Sequence, residues 1–165
     1  MCEMTTFPTT MIVRHRKENL KKCSLRGLEP REDLHFFTYP TEPISLPRDA
    51  VMLSMEGDLL SEEDYNHPLL LLDGTWRYAE RMEKNIPTLE CLERRRLPEQ
   101  FRTAYPRKQE DCSEPSRGLA SVEALYLSYL LMGRCVEGLL DHYYWKDAFL
   151  EINNLDYARC SNSKL

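Results

Sequence analysis

Apolar residues in this chain fall in short clusters cut off by proline, charge or glycine. Residues 11–13, 34–37, 50–53 and 69–72 are each too short for a buried helix and are expected as strands. The last of them, Leu69-Leu70-Leu71-Leu72, has no polar interruption, which suits a central parallel strand covered on both faces. Pro68 before it and Gly74 after it favour a strand over a helix. Ser61, with Asp64 three residues on, marks the start of a short helix. From Thr75 to about Asn85, Trp76, Ala79, Met82 and Ile86 recur at three- and four-residue spacing, which predicts a one-faced helix stopped by Pro87. Strand, Asp73-Gly74 turn and helix thus form one unit. Residues 102–118 are polar, contain Pro106 and Pro115 and lack periodicity, so they are expected as a long loop of the kind that carries function. Ser121 opens a strongly apolar helix to about Met132, with Glu123 in its first turn. A final helical region is expected over about 136–157, its Tyr143, Tyr144, Trp145, Phe149 and Ile152 packing a core.

Alternating strands and helices argue for an α/β fold with a largely parallel sheet, in which ligands bind beyond the carboxyl ends of the strands. Asp73 stands at such an end. The 165 residues, 42% of them hydrophobic, suffice for one domain over 1–165, its ends at about 1–9 and 158–165 expected to fray. No stretch approaches the roughly 18 to 20 apolar residues of a membrane span, and the first residues lack a signal-peptide pattern, so a cytoplasmic protein is expected. The six cysteines are scattered without zinc-ligand spacing, so no metal is expected and the thiols are expected to be reduced. His15 lies in a basic segment where it can touch phosphate, while His35, His67 and His142 show no metal spacing.

Net charge is −5, which alone argues against nucleic acid, but the basic residues are clustered. Residues 14–26 carry Arg14, Arg16, Lys17, Lys21, Lys22 and Arg26 against one acid, and residues 94–108 carry Arg94, Arg95, Arg96, Arg102, Arg107 and Lys108 against one more. If folding unites the two stretches, an acidic protein presents one positive face to a phosphate backbone; otherwise they are separate solvated surfaces. Tyr105, set between Arg102 and Arg107, suits stacking of a splayed base. Neither a G-x-G-x-x-G nor a phosphate-cradling G-x-x-x-x-G-K-[ST] loop is present, so a nucleotide-like cofactor must be held another way.

Leu71-Leu72-Asp73-Gly74-Thr75-Trp76 resembles the Asp-x-[ST]-Trp motif of DTW-domain proteins and the ribosome-biogenesis aminocarboxypropyltransferases. Four further blocks agree in order: Lys21-Lys22-Cys23-Ser24, Arg95-Arg96-Leu97-Pro98, Leu119-Ala120-Ser121-Val122-Glu123-Ala124, and the segment from Trp145 to Asn153. Together they span residues 21–153. The resemblance implies a SPOUT-like fold, a mostly parallel sheet flanked by helices with a carboxy-terminal trefoil knot around S-adenosylmethionine. It implies transfer of the 3-amino-3-carboxypropyl group to a uridine or pseudouridine of rRNA or tRNA, with methylthioadenosine released, by a monomeric enzyme. Carried over by motif position, the cofactor contacts are Ser24, Leu72, Trp76, Leu97, Arg117, Leu119 and Ser121, several of them through backbone groups. The RNA contacts would be Arg14, Lys17, Lys21, Lys22, Arg26, Arg95, Arg102, Arg107 and Lys108. The alternatives are an RNA methyltransferase of the same fold and a non-catalytic RNA-binding assembly factor.

A uracil imide is a weak acid, so a carboxylate beside it can act as general base or orient the ring, and Asp73 is the catalytic candidate. An aspartate capping the Thr75 helix is the competing role. Trp76 either lines a pocket for the cofactor methyl group or packs the helix onto its strand. Glu123 reads as a first-turn helix acid rather than a second base.

Overall fold

The computed structural model describes residues 7–106 and 118–155. Its strands are β1 (Thr10–His15), β2 (Leu34–Tyr39), β3 (Val51–Leu59), β4 (Leu69–Asp73) and β5 (Glu93–Arg96), and its α-helices are α1 (Trp76–Asn85), α2 (Ser121–Met132) and α3 (Lys146–Ile152). The strands form one all-parallel sheet in the order β2-β1-β4-β3-β5, with the leucine run of β4 at its centre, as expected for a strand covered on both faces.

Period-two alternation sorts the strand residues onto two cores. Ile12, Leu69 and Leu71 face the side covered by α2 and α3, where Leu125, Tyr126, Tyr129 and Phe149 complete the larger cluster. Met11, Val13 and Leu70 face the side covered by α1, against Met82, Ile86 and Leu89. The same alternation continues past the apolar residues. Arg14 and Asp73 share the parity of Ile12 and Leu71 and point to the α2 side, while His15 shares the parity of Val13. The β1–β4 register pairs Arg14 with Asp73 across the strands.

α1 is capped by Thr75, whose side chain accepts the Tyr78 N–H, rather than by Asp73. The Ser61 signal produces one 3-10 turn, Glu62–Asp64, in which Ser61 Oγ accepts the Glu63 N–H and Asp64 Oδ2 accepts the Ser61 N–H. The carboxy-terminal helix is shorter than its pattern suggests. Val136, Leu139, Leu140 and Tyr143 are buried at helical spacing, but they lie on consecutive three-residue turns. Gly138 breaks the run with φ +80°, a conformation outside an α-helix. β5 escapes the apolar pattern altogether because its side chains are charged. As an edge strand it keeps them half-buried by pairing, Arg94 with Glu83 and Arg95 with Asp64 at 3.1 Å.

The expected SPOUT-like architecture with a carboxy-terminal trefoil knot is corrected. The described residues form an open five-stranded parallel sheet with three α-helices, and no knot is shown among them. After Arg96 the described chain adds no strand, and its apolar residues are accounted for by α2 and α3 packing on one face. α2 is also pinned by polar contacts, since the Tyr129 hydroxyl lies 2.8 Å from Thr10 Oγ1 and 3.0 Å from Asp33 Oδ2. Cys23 and Cys91 are free thiols. Among the described residues no helix is long and apolar enough to cross a membrane.

Candidate active site

The site forms where β1 and β4 end beneath the start of α2. Asp73, the last residue of β4, is 2% exposed and accepts three side-chain hydrogen bonds. Arg14 Nε donates to its Oδ2 at 3.0 Å, Cys23 Sγ donates to the same oxygen at 3.2 Å, and Ser121 Oγ donates to Oδ1 at 2.8 Å. The capping role is thereby excluded, since Thr75 caps α1 and Asp73 holds side chains instead. Arg14 reaches on to Glu29 at 3.3 Å and lies over the Phe36 ring at 4.6 Å. Burial opposes the Arg14 charge, but Cys23, Asp73 and Glu29 around it hold its pKa above the ordinary value. As a buried partner of Asp73, Arg14 departs from the RNA-facing role expected of it.

Burial first, and the Asp73 carboxylate next, push the Cys23 thiol up to about 12, with Arg14 pulling the other way. The thiol is therefore protonated at neutral pH and serves as a donor. In the folded protein at pH 8, iodoacetamide is expected to leave Cys23 unmodified while exposed Cys91 reacts, as read by peptide mass mapping; alkylation of both at one rate would contradict this. Glu18, Cys23 and Asp73 each offer a ligand atom within 4.8 Å of the others, but Arg14 lies 3.0 Å from Asp73 Oδ2 and 3.5 Å from Cys23 Sγ. A guanidinium and a neutral thiol make this a counter-ion cluster rather than a cation site.

α2 starts without a capping side chain, because its N-cap is Ala120. Ser24 replaces the missing cap from 98 residues away, its Oγ accepting the Val122 N–H at 3.1 Å. Ser24→Ala is expected to lower stability by about 1 kcal/mol in urea unfolding, the size of a lost helix cap. Glu123 completes the helix start. Its carboxylate is fully buried and accepts from Ala120 N (2.7 Å), Thr103 Oγ1 (2.6 Å), Ala104 N (2.8 Å) and the Tyr143 hydroxyl (3.0 Å). One first-turn acid thus fixes α2, residues 103–104 and the turns before α3 together. Glu123 is the first-turn helix acid that its position predicts, with partners drawn from two further segments.

The two basic stretches touch where the Tyr105 hydroxyl donates to the Lys22 carbonyl at 3.3 Å, while Arg94–Arg96 lie on edge strand β5, separated from β1 by β4 and β3. Lys17, Lys21, Lys22, Arg26 and Arg102 are exposed near this seam or on its flanking segments. Arg95 is instead held by Asp64 and Glu93. Leu97 and Leu119 are half-buried against the α2-side core, whereas the Leu72 side chain packs on the α1 side. Arg107, Lys108 and Arg117 lie outside the described residues, as does the side chain of Trp76.

No protein-family model and no curated protein matches the chain. Among solved structures, the SAM-dependent rRNA:acp-transferase Tsr3 from Vulcanisaeta distributa matches with a TM-score of 0.69, at 21% identity, over 90% of this chain and 79% of that one. The likeness establishes a shared fold.

Proposed function

We propose that the chain is an S-adenosylmethionine-dependent transferase that places a 3-amino-3-carboxypropyl group on a uridine or pseudouridine base of rRNA. The observation that carries this reading is the convergence on Asp73. Three motif blocks distant in sequence, at Cys23-Ser24, Asp73-Gly74-Thr75 and Ser121-Val122, are joined by direct hydrogen bonds at the carboxyl end of the sheet. Ligands of open parallel sheets bind at that end. The structural match, itself an enzyme of this activity on rRNA, supports the same reading.

The donor set fits such a cofactor. Leu97 and Leu119 offer half-exposed apolar side chains beside irregular backbone at 97–106 and 118–120, suited to a nucleoside held without a glycine loop. When bound, S-adenosylmethionine supplies a sulfonium that activates the adjoining side-chain carbon toward an attacking imide nitrogen, with methylthioadenosine as leaving group. The chain's own part is to position. Ser24 fixes the start of α2, and Glu123 fixes residues 103–104 opposite it. Asp73 is the positioning residue that ties the start of α2 and the Cys23-Ser24 segment to β4. With Arg14, Cys23 and Ser121 already donating to it and 2% exposure, its carboxylate is committed to holding the site. Selecting the side-chain carbon over the methyl carbon is a matter of which carbon stands at near-attack distance from the base, so a rigid wall matters more than a strong base.

Calorimetric titration with S-adenosylmethionine tests the cofactor assignment. Saturable one-to-one binding, weakened at least tenfold when Leu97 or Leu119 is replaced by aspartate, is expected. Absence of binding by the folded wild type would overturn it.

A further inference from the structure

The alternation that sends Arg14 toward α2 sends His15 to the opposite side, into a cleft of about 220 Å3 lined by His15, Arg16, Lys17, Tyr39, Arg81 and Asn85. Two strand ends and one helix build it. His15 and Tyr39 are paired as the last residues of β1 and β2, and Arg81 and Asn85 lie four residues apart on α1. Tyr78, one turn before Arg81, stacks on the imidazole at 4.1 Å and 9°. Gly74 permits this approach, for a Cβ there would come within 3.1 Å of Tyr78 Cβ and 3.6 Å of His15 Cβ. The Lys17 N–H donates to His15 Nδ1 at 3.1 Å, which leaves Nε2 as the protonated nitrogen of the neutral ring, free to donate.

Three cations line this cleft and no carboxylate does. Arg16, Lys17 and Arg81 are exposed and form no ion pair among the described residues. Burial together with Lys17, Arg16 and Arg81 lowers the His15 pKa, the signature of an uncompensated positive field. An anion would relieve that field. The cleft is open, its cations are exposed, and it adjoins the strand end that carries Arg14 beside Asp73, all of which suit a polymer backbone better than an enclosed small ligand.

We propose that this cleft is a subsite for a backbone phosphodiester of the RNA substrate, gripped by Arg16, Lys17 and Arg81 with His15 Nε2 as an oriented donor. The inference rests on the transferase reading for the identity of the polymer. It places RNA on the α1 side of the sheet end, while Ser24, Leu97, Leu119 and Ser121 lie on the α2 side, so the target base would cross the ends of β1 and β4. Sequence alone exposed Lys17 and His15 but not Arg81, which α1 delivers from 64 residues further along.

The test follows the His15 ring by NMR in the full chain, at fixed ionic strength, during titration with a single-stranded ten-nucleotide RNA and, separately, with inorganic phosphate. RNA is expected to shift the His15 signals and raise its pKa. Replacing Arg81 by glutamine is expected to weaken RNA binding three- to tenfold and to reduce the slope of log affinity on log salt by about 0.7, the value for one phosphate contact on a single strand. RNA binding that leaves His15 unmoved and the Arg81→Gln slope unchanged would overturn the subsite. A response to phosphate but not to RNA would overturn the assignment to a nucleic-acid backbone. A His15 response to RNA in a protein that binds no S-adenosylmethionine would overturn the transferase reading and leave the subsite standing.

Discussion

Replacing Glu123 by glutamine is expected to remove about 3–5 kcal/mol of stability. The carboxylate is fully buried and its two oxygens accept four hydrogen bonds, two from backbone N–H groups and two from hydroxyls. Each oxygen serves one backbone N–H and one hydroxyl, so an amide keeps one oxygen and turns its NH2 toward a backbone N–H that cannot accept. Hydrogen bonds to a charged group are each worth about 1.5–3 kcal/mol, and a buried donor left unpaired costs about 1–3 kcal/mol more. A domain of this size has only about 5–15 kcal/mol in total, so the variant should unfold at markedly lower urea. Tyr143→Phe removes one of the four donors and should cost about 1–2 kcal/mol. Equal midpoints for wild type and Glu123→Gln would show that the carboxylate does not organise this end of the fold.

Asp73→Asn is the second large effect. The Arg14–Asp73 pair is nearly dry, with side-chain exposures of 10% and 3%. Breaking a buried pair by neutralising one member costs about 3–5 kcal/mol, because the remaining charge is left under-compensated. Glu29 still faces Arg14, but from a half-exposed position, so the lower part of that range is expected. In a double-mutant cycle with Arg14→Met the two losses should fall well short of additive, by about 1.5 kcal/mol or more. The functional consequence separates holding from proton transfer. A positioning Asp73 predicts that cofactor affinity and transfer rate fall together in Asp73→Asn, and that Ser121→Ala shows the same paired loss in milder form. A general base would lower transfer while leaving cofactor affinity intact.

Much of the fold was legible because its apolar runs obey period two and period 3.6 cleanly. The leucine run of β4, the extent of α1 and the apolar length of α2 appear where the pattern puts them. β5 was hidden because Glu93-Arg94-Arg95-Arg96 reads as a solvated basic surface, and only partners contributed from elsewhere, Glu83 and Asp64, allow those residues into a sheet. The shortened last helix was hidden for the opposite reason: a helical pattern of buried residues can also be met by successive turns once Gly138 is left-handed. A knot leaves no trace in periodicity and entered only with the resemblance.

In the site, residue types were more legible than partners. Asp73 at a strand end and Ser24 and Ser121 in their motif blocks could be named from sequence, but Arg14 was read by its charge as a phosphate contact. The parity of β1 carried the correction, since Arg14 is two residues from buried Ile12 and must point into the same core. Cys23 and Glu123 were likewise visible as residues, while their hydrogen bonds depend on loops and register that one sequence does not display.

The most direct test of the central claim is incubation of the protein with total rRNA and S-adenosylmethionine labelled in either the methyl or the carboxypropyl portion, followed by nucleoside mass spectrometry. The account predicts carboxypropyl label on a uridine-derived nucleoside, methyl label remaining with methylthioadenosine, and loss of both signals in Asp73→Asn. Methyl label in the RNA, or no label of either kind from a protein that binds the cofactor and the RNA, would contradict it.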